Sequence, residues 1–233
     1  MIDAAQRAQY LAALGLEQWV RRRPQEASPA ATPAAAKPPQ AADVSTLDWP
    51  ALRTAVGGCQ LCGLAATRTQ TVFGVGDTAA QWLVIGEAPG AEEDRQGEPF
   101  VGAAGQLLDK MLLAIELPRP SVFIANMLKC RPPGNRDPQP AELAACRPYL
   151  LRQIALLNPA IILVVGRIAA QNLLHTTQPL ARLRGQLHRF GALNTPLIVT
   201  YHPSYLLRTP GDKRKAWEDL KFARQTYLQL ERS

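Results

Sequence analysis

Three groups of residues have the types and spacing for chemistry. The first is a set of four cysteines, Cys59, Cys62, Cys130 and Cys146. Cys59-x2-Cys62, flanked by glycines, is a compact knuckle whose sulfurs reach one metal centre, and the other two complete a set of four thiolates. Fifteen residues separate Cys130 from Cys146, which is not a zinc-knuckle spacing. Spacing alone leaves zinc, an iron-sulfur cluster and four unrelated buried thiols open. The second group is the run "GEAPGAEEDRQGEPF", Gly86 to Phe100, in which five of fifteen residues are acidic. Glu92, Glu93, Asp94 and Glu98 suit the solvated start of a helix. Glu87 differs, because it follows an apolar run directly and stands among glycines that let backbone approach a ligand. A carboxylate there can orient water or face a developing cation, and free backbone N–H groups can face an anion; metal binding is the competing use. The third group is "HPSYLLR", 202–208. Pro203 holds His202 extended, so its imidazole can donate to an oxygen gaining charge. Leu206, Leu207 and Arg208 read as an apolar, cationic loop tip, suited to wedging into a base stack beside phosphates.

The elements around these groups must bring them together. Apolar runs at 81–86, 121–126, 160–166 and 196–201 suit buried strands and alternate with helical patterns at 103–115, 141–157, 167–174 and 214–230. Such alternation predicts an α/β fold with a parallel sheet between helices. Ligands of such sheets bind outside the carboxyl ends of the strands. Those ends carry "GEAPG", Asn126 and Tyr201-His202-Pro203-Ser204, whereas Gly166-Arg167 reads as a plain strand-to-helix turn.

The 233-residue chain has a formal charge of +7, and residues 1 to 50 hold five basic and five acidic side chains, so the excess lies beyond them. That surface favours a polyanion such as nucleic acid. No apolar run is long enough to span a membrane and no cleavable leader is evident. A cytoplasmic location is expected, where structural disulfides are rare. Residues 1–23 show amphipathic helical spacing, a helix able to bind a protein partner or fold back. Residues 24–45 form an Ala/Pro-rich linker, and 46–233 hold the α/β domain.

With these motifs in order, "GEAPGAEEDRQGEPFVGAAGQLL", "NMLKCRPPGNRDP", "HPSYLLR" and the cysteines, the chain resembles the iron-sulfur, family-4 class of uracil-DNA glycosylases from about residue 50 to 230. The resemblance implies a three-layer α/β/α sandwich with a four-stranded parallel sheet and an N-terminal helical extension. It implies a 4Fe-4S cluster on Cys59, Cys62, Cys130 and Cys146, with zinc as the alternative. It implies hydrolysis of the N-glycosidic bond of uracil in single- or double-stranded DNA, by a monomer without lyase activity. Phe100 would stack on the uracil and Asn126 would pair with its polar edge, in a pocket shaped by Gly86, Ala88 and Gly90. His202 would donate to the leaving base, and Glu87, helped by Glu93, would face the water or sugar cation. Lys129, Arg131, Arg136, Ser204, Leu206, Leu207 and Arg208 would meet DNA, with Arg184, Lys213, Arg214 and Lys215 as further cations. Where another branch has an aspartate and a tyrosine, this chain has Ala88 and Gly90; residues 91 to 101 lack the basic, His-containing insert of a branch trapped covalently on DNA. Two other functions fit the residues: a non-catalytic iron-sulfur DNA-binding module that recruits a replication or repair partner, and a phosphodiesterase with Mg²⁺ on Glu87, Glu92 and Asp94.

Overall fold

Each apolar run becomes a strand buried on both faces. The computed structural model describes residues 43 to 230 and a few isolated positions before them, so the expected N-terminal helical segment and nearly all of the linker lie outside the described residues. Within the compact unit Pro39–Ser233, the strands are β1 (Val75–Gly76), β2 (Trp82–Gly86), β3 (Phe123–Asn126), β4 (Ile161–Val165), β5 (His188–Phe190) and β6 (Thr195–Thr200). Every residue of β2, β3, β4 and β6 is buried. A strand without a polar face must be covered on both sides, and the crossover helices supply the cover.

The helices are α1 (Trp49–Gly57), α2 (Ala91–Gln96), α3 (Ala103–Leu113), α4 (Pro140–Leu157), α5 (Arg167–Leu173), α6 (Leu180–Leu183), α7 (Pro203–Arg208) and α8 (Lys213–Leu230). Alternate strand residues point to opposite faces. Leu83 and Ile85 of β2 therefore join a core with Leu52 of α1, Leu150 and Ile154 of α4 and Ala170 of α5. Trp82 and Val84 join a second core with Leu108 and Leu112 of α3 and Leu220 of α8. Each fully buried Leu or Ile contributes roughly 1.5–3 kcal/mol.

The sheet order is β1-β3-β2-β4-β6-β5. The four central strands pair in parallel, while β1 and β5 pair antiparallel at the edges. The sheet is thus mixed and six-stranded, not the four-stranded parallel sheet that the resemblance implied. Edge strands of two and three residues, half-exposed and lacking an apolar run, leave no periodic signal. The chain crosses from β3 over β2 to β4, so β3 and β4 flank β2 on opposite sides. This reversal is a topological switch point, where the carboxyl ends of adjacent strands open a crevice.

Candidate active site

At that edge the ends of β2, β3, β4 and β6 open on one cleft of about 680 Å³. Asn126 and Phe100 line it and close around Gly86 to form a slot. Asn126 ends β3 with 2% of its surface exposed, and its side-chain Oδ1 is buried without a hydrogen-bond partner. Burying such an acceptor unpaired costs about 1–3 kcal/mol, so the fold holds a recognition group that an incoming N–H donor would satisfy. A β-carbon on Gly86 would lie 2.6 Å from Cζ of Phe100, so only glycine leaves the slot its shape. Phe100 itself has φ of +55°, a conformation rare for a side chain of this size. Arg119 holds it there: one guanidinium nitrogen donates to the Phe100 carbonyl at 3.2 Å and the other to that of Pro99 at 2.6 Å. Asp109 anchors the same guanidinium at 2.8 Å. The aromatic was legible in sequence; its Arg119 clamp, nineteen residues away, was not.

His202 is the N-cap of α7. Its Nδ1 accepts the Ser204 backbone N–H at 3.1 Å, and the Ser204 hydroxyl lies 2.8 Å from the same nitrogen. A backbone N–H can only donate, so Nδ1 carries no proton and the neutral ring holds its proton on Nε2. Burial pushes the imidazole pKa down to about 4, with Arg208 adding to the shift and Glu93 opposing it. The ring is therefore a neutral donor at physiological pH. It lies 5.6 Å from the Phe100 ring, centroid to centroid. Gly166, at φ of +102°, makes room for it, since a β-carbon there would sit 3.1 Å from His202 Cβ.

Glu87 lines the same cleft. Burial pushes its carboxyl up to about 7; the Asp137 carboxylate raises it further and the Arg167 guanidinium pulls it back. Arg167 and Asp137 pair at 2.9 Å. Both line the cleft, so the third strand end, read from sequence as a plain turn, contributes a charged pair. Asp137 lies within the quoted "NMLKCRPPGNRDP" without a role assigned to it, and an arginine at a helix start has a bland explanation until the sheet brings the two together.

Of the other acids of the glycine-rich loop, Glu93 also lines the cleft, whereas Glu92 and Asp94 do not. Glu93 takes the Gly90 N–H on one oxygen at 3.1 Å and those of Val101 and Gly102 on the other at 3.0 and 3.1 Å. It ties both ends of the loop together while lining the cleft. Asp94 is buried and accepts the Thr69 N–H, and Glu92 pairs with Arg95 on the surface. Glu87, Glu92 and Asp94 therefore form no common ion site; among the described residues no group of three such side chains is placed to hold one ion.

The expected DNA contacts divide. Arg136, Ser204 and Arg208 line the cleft with Ala88 and Gly90. Arg136 is bidentate to Glu142, and Arg131 donates to Asn135 at 2.8 Å. Lys129 is 1% exposed, with Nζ on the Asn126 carbonyl at 2.9 Å and on Gln153 Oε1 at 2.6 Å, so it faces inward and offers nothing to a phosphate. Leu206 is likewise 1% exposed and belongs to the core, whereas Leu207 is 43% exposed. The expected loop tip is helix α7, whose period turns one leucine inward and the next outward. Arg184 also turns inward, to the buried Asp219 at 2.7 Å.

The four cysteines line one small cavity, with Arg68, Lys129 and Tyr149. Arg68 donates to Cys130 Sγ at 3.1 Å, and the Lys129 backbone N–H to Cys146 Sγ at 3.2 Å. Donors aimed at sulfur suit thiolate ligands. Burial pushes the Cys146 thiol up to about 12 and raises Cys130, so as bare thiols they keep their protons, and only a cation between them would draw these off.

Comparison with known proteins adds to this geometry. Residues 73–221 match the model of the uracil DNA glycosylase superfamily. The type-4 uracil-DNA glycosylase of Archaeoglobus fulgidus is 44% identical over 172 residues, 70% of this chain and 85% of that protein. Those of Pyrobaculum aerophilum and Thermotoga maritima are each 39% identical, over 75% and 71% of this chain and 92% and 88% of theirs. Glu87, Phe100, Asn126, His202, Cys130 and Cys146 all fall within residues 73–221, and the chain belongs to the uracil-DNA glycosylase superfamily, in its type-4 branch.

Proposed function

We propose that this protein is a uracil-DNA glycosylase that hydrolyses the N-glycosidic bond of deoxyuridine in DNA and leaves an abasic site. The observation that carries this is the unpaired, buried Oδ1 of Asn126 in a slot walled by Phe100. Uracil presents an N–H donor at N3 beside an acceptor at O4, and a side-chain amide offers the matching acceptor and donor; cytosine presents the reversed pattern. Phe100 would stack on the extruded base. Extrusion costs a few kcal/mol, least at a mismatch or in a single strand.

Breaking the bond leaves negative charge on the base and positive charge on the sugar. The Nε2–H of neutral His202 faces the first, and the Glu87 carboxylate meets the second or orients the attacking water. Opposite stabilisers on opposite sides of one bond lower the barrier because they are fixed before the charges form. Carboxylate, imidazole and amide supply hydrolysis without a Schiff base, consistent with a monofunctional enzyme.

Cys59, Cys62, Cys130 and Cys146 would hold a 4Fe-4S cluster. The four line a common cavity, and four cysteine thiolates are the ligand number that a 4Fe-4S cluster takes. When bound, the cluster supplies a cross-link rather than reactivity: Cys130 lies four residues after Asn126, in a segment tied to the first loop by Met127 N–H to Gly86 O at 2.9 Å and Leu128 N–H to Glu87 O at 3.0 Å. The test is incubation with a uracil-containing oligonucleotide in EDTA, followed by alkali. Scission at the uracil is expected, and an intact strand overturns the proposal. Brown protein with iron and sulfide in equal amounts is expected for the cluster; colourless protein carrying zinc refutes it.

A further inference from the structure

The wall of the cleft beyond His202 carries an aromatic pair that the chemistry above does not use. Tyr201 and Tyr205 stack with ring centroids 5.0 Å apart and planes 18° from parallel. They stand on either side of His202 in the chain, and both line the cleft. Arg184, which does not line it, backs the stack with its guanidinium 4.3 Å from the Tyr201 ring centroid. That guanidinium is itself fixed by the buried Asp219 at 2.7 Å and by the Lys215 carbonyl at 2.5 Å. Thr200 Oγ1 donates to the same Asp219 oxygen at 2.8 Å. At the other end the Tyr205 hydroxyl donates to Asp212 Oδ2 at 2.6 Å, and Asp212 is anchored by Lys215 at 2.8 Å.

Packing against the core accounts for the inner edges of these rings. It does not account for a stack braced at both ends by charged groups and presented to a cleft. Resting on the glycosylase proposal, we propose that Tyr201 and Tyr205 form a second base subsite, which takes by stacking an unpaired nucleobase next to the extruded uracil in the same strand. Swinging uracil out removes a stacking partner from its neighbours, and an aromatic face replaces what they lose. Every base has a π face, so the subsite reads no sequence. Because both rings are already braced, binding orders little that was free, and more of the stacking appears as affinity. The subsite favours substrates whose flanking bases are free of a complementary strand.

The test uses the full chain and fluorescence anisotropy with single-stranded oligonucleotides carrying one 2′-fluoro-2′-deoxyuridine, whose electron-withdrawing fluorine slows bond ionisation so that binding is read before cleavage. The nucleotide on the 5′ side, then that on the 3′ side, is replaced by a tetrahydrofuran spacer without a base. For the wild type, Kd is expected to rise about tenfold for one of the two spacers. Tyr205→Leu keeps an apolar group against the core but removes the π face; its Kd for the intact strand should rise by a similar factor, and its response to that spacer should vanish. Tyr205→Phe, which keeps the ring, should retain the response. A wild-type Kd indifferent to both spacers overturns the subsite, and needs no variant to fold. So does a folded Tyr205→Leu that keeps full sensitivity. Base release from an ordinary deoxyuridine strand is measured beside it: no release with a spacer-sensitive Kd overturns the glycosylase proposal while leaving the subsite standing.

Discussion

A β-carbon placed on Gly86 would sit 2.4 Å from the Oδ1 of Asn126. The residue that ends one strand thus sets the position of the amide that ends its neighbour, since Gly86 and Asn126 are register partners in β2 and β3. Gly86→Ala must push the amide, the Phe100 ring or both out of place. A displacement near 1 Å in a reacting geometry costs on the order of 10²-fold. kcat/KM on uracil-containing DNA should fall by about that factor with the circular dichroism spectrum unchanged.

Asn126→Ala removes the amide and leaves the slot open. A site built to hydrogen-bond a polar edge loses about 10⁴-fold when the pairing is gone. Single-turnover base release should drop by about that much while affinity for uracil-free DNA is preserved. Retention of full activity would refute the assignment of Asn126 as the base reader.

The pH profile follows from Glu87. Its pKa is raised to about 7, and the form that meets a cation or orients water is the ionised one, so activity rises with pH through that value and levels above it. Below the inflection log(kcat/KM) should fall with a slope of about one per pH unit. His202, pushed down to about 4, stays neutral across this range and adds no second step. Glu87→Gln should be slow and lack the limb near neutrality; an unchanged limb in that variant would assign it to another group.

Salt dependence separates cations that meet DNA from those that do not. Arg208 lines the cleft, is exposed and has no ion pair among the described residues. Arg208→Ala should reduce the slope of log K against log salt by about 1. Lys129→Met should leave that slope alone. It should instead lower stability by about 1–3 kcal/mol, because the Asn126 carbonyl and Gln153 lose a buried donor. Equilibrium binding at several salt concentrations and denaturant melts check both.

Loss of a cluster ligand acts on stability first. Cys146→Ala should abolish visible thiolate-to-iron absorption. If the lost cross-link costs about 3 kcal/mol, Tm falls by about 6–12 °C. Residual base release by the folded fraction is expected, since no step of the chemistry runs through the cysteines. A colour unchanged by the substitution would remove Cys146 from the ligand set.

What the sequence determined is local. Short unbroken apolar runs suit strands covered on both faces, and helical spacing between them implies crossovers, so the parallel centre of the sheet and its carboxyl-end site were readable from the alternation. Asn126 closes such a run and Glu87 and His202 directly follow one, which is why they were legible. Tertiary structure decided what depends on contacts far apart in the chain. The edge strands exist only because β3 and β6 offer them backbone partners. Lys129 and Leu206 turn inward because the cysteine-lined side and the α3–α8 core lie beneath them, and no charge count or motif shows which way a side chain faces. The Arg119 clamp, the Asp137–Arg167 pair and the stack of Tyr201 on Tyr205 braced by Arg184 join residues whose separate sequence contexts are ordinary. Hydrogen bonds and stacking act over a few ångströms in space, and only the folded chain sets which residues come that near.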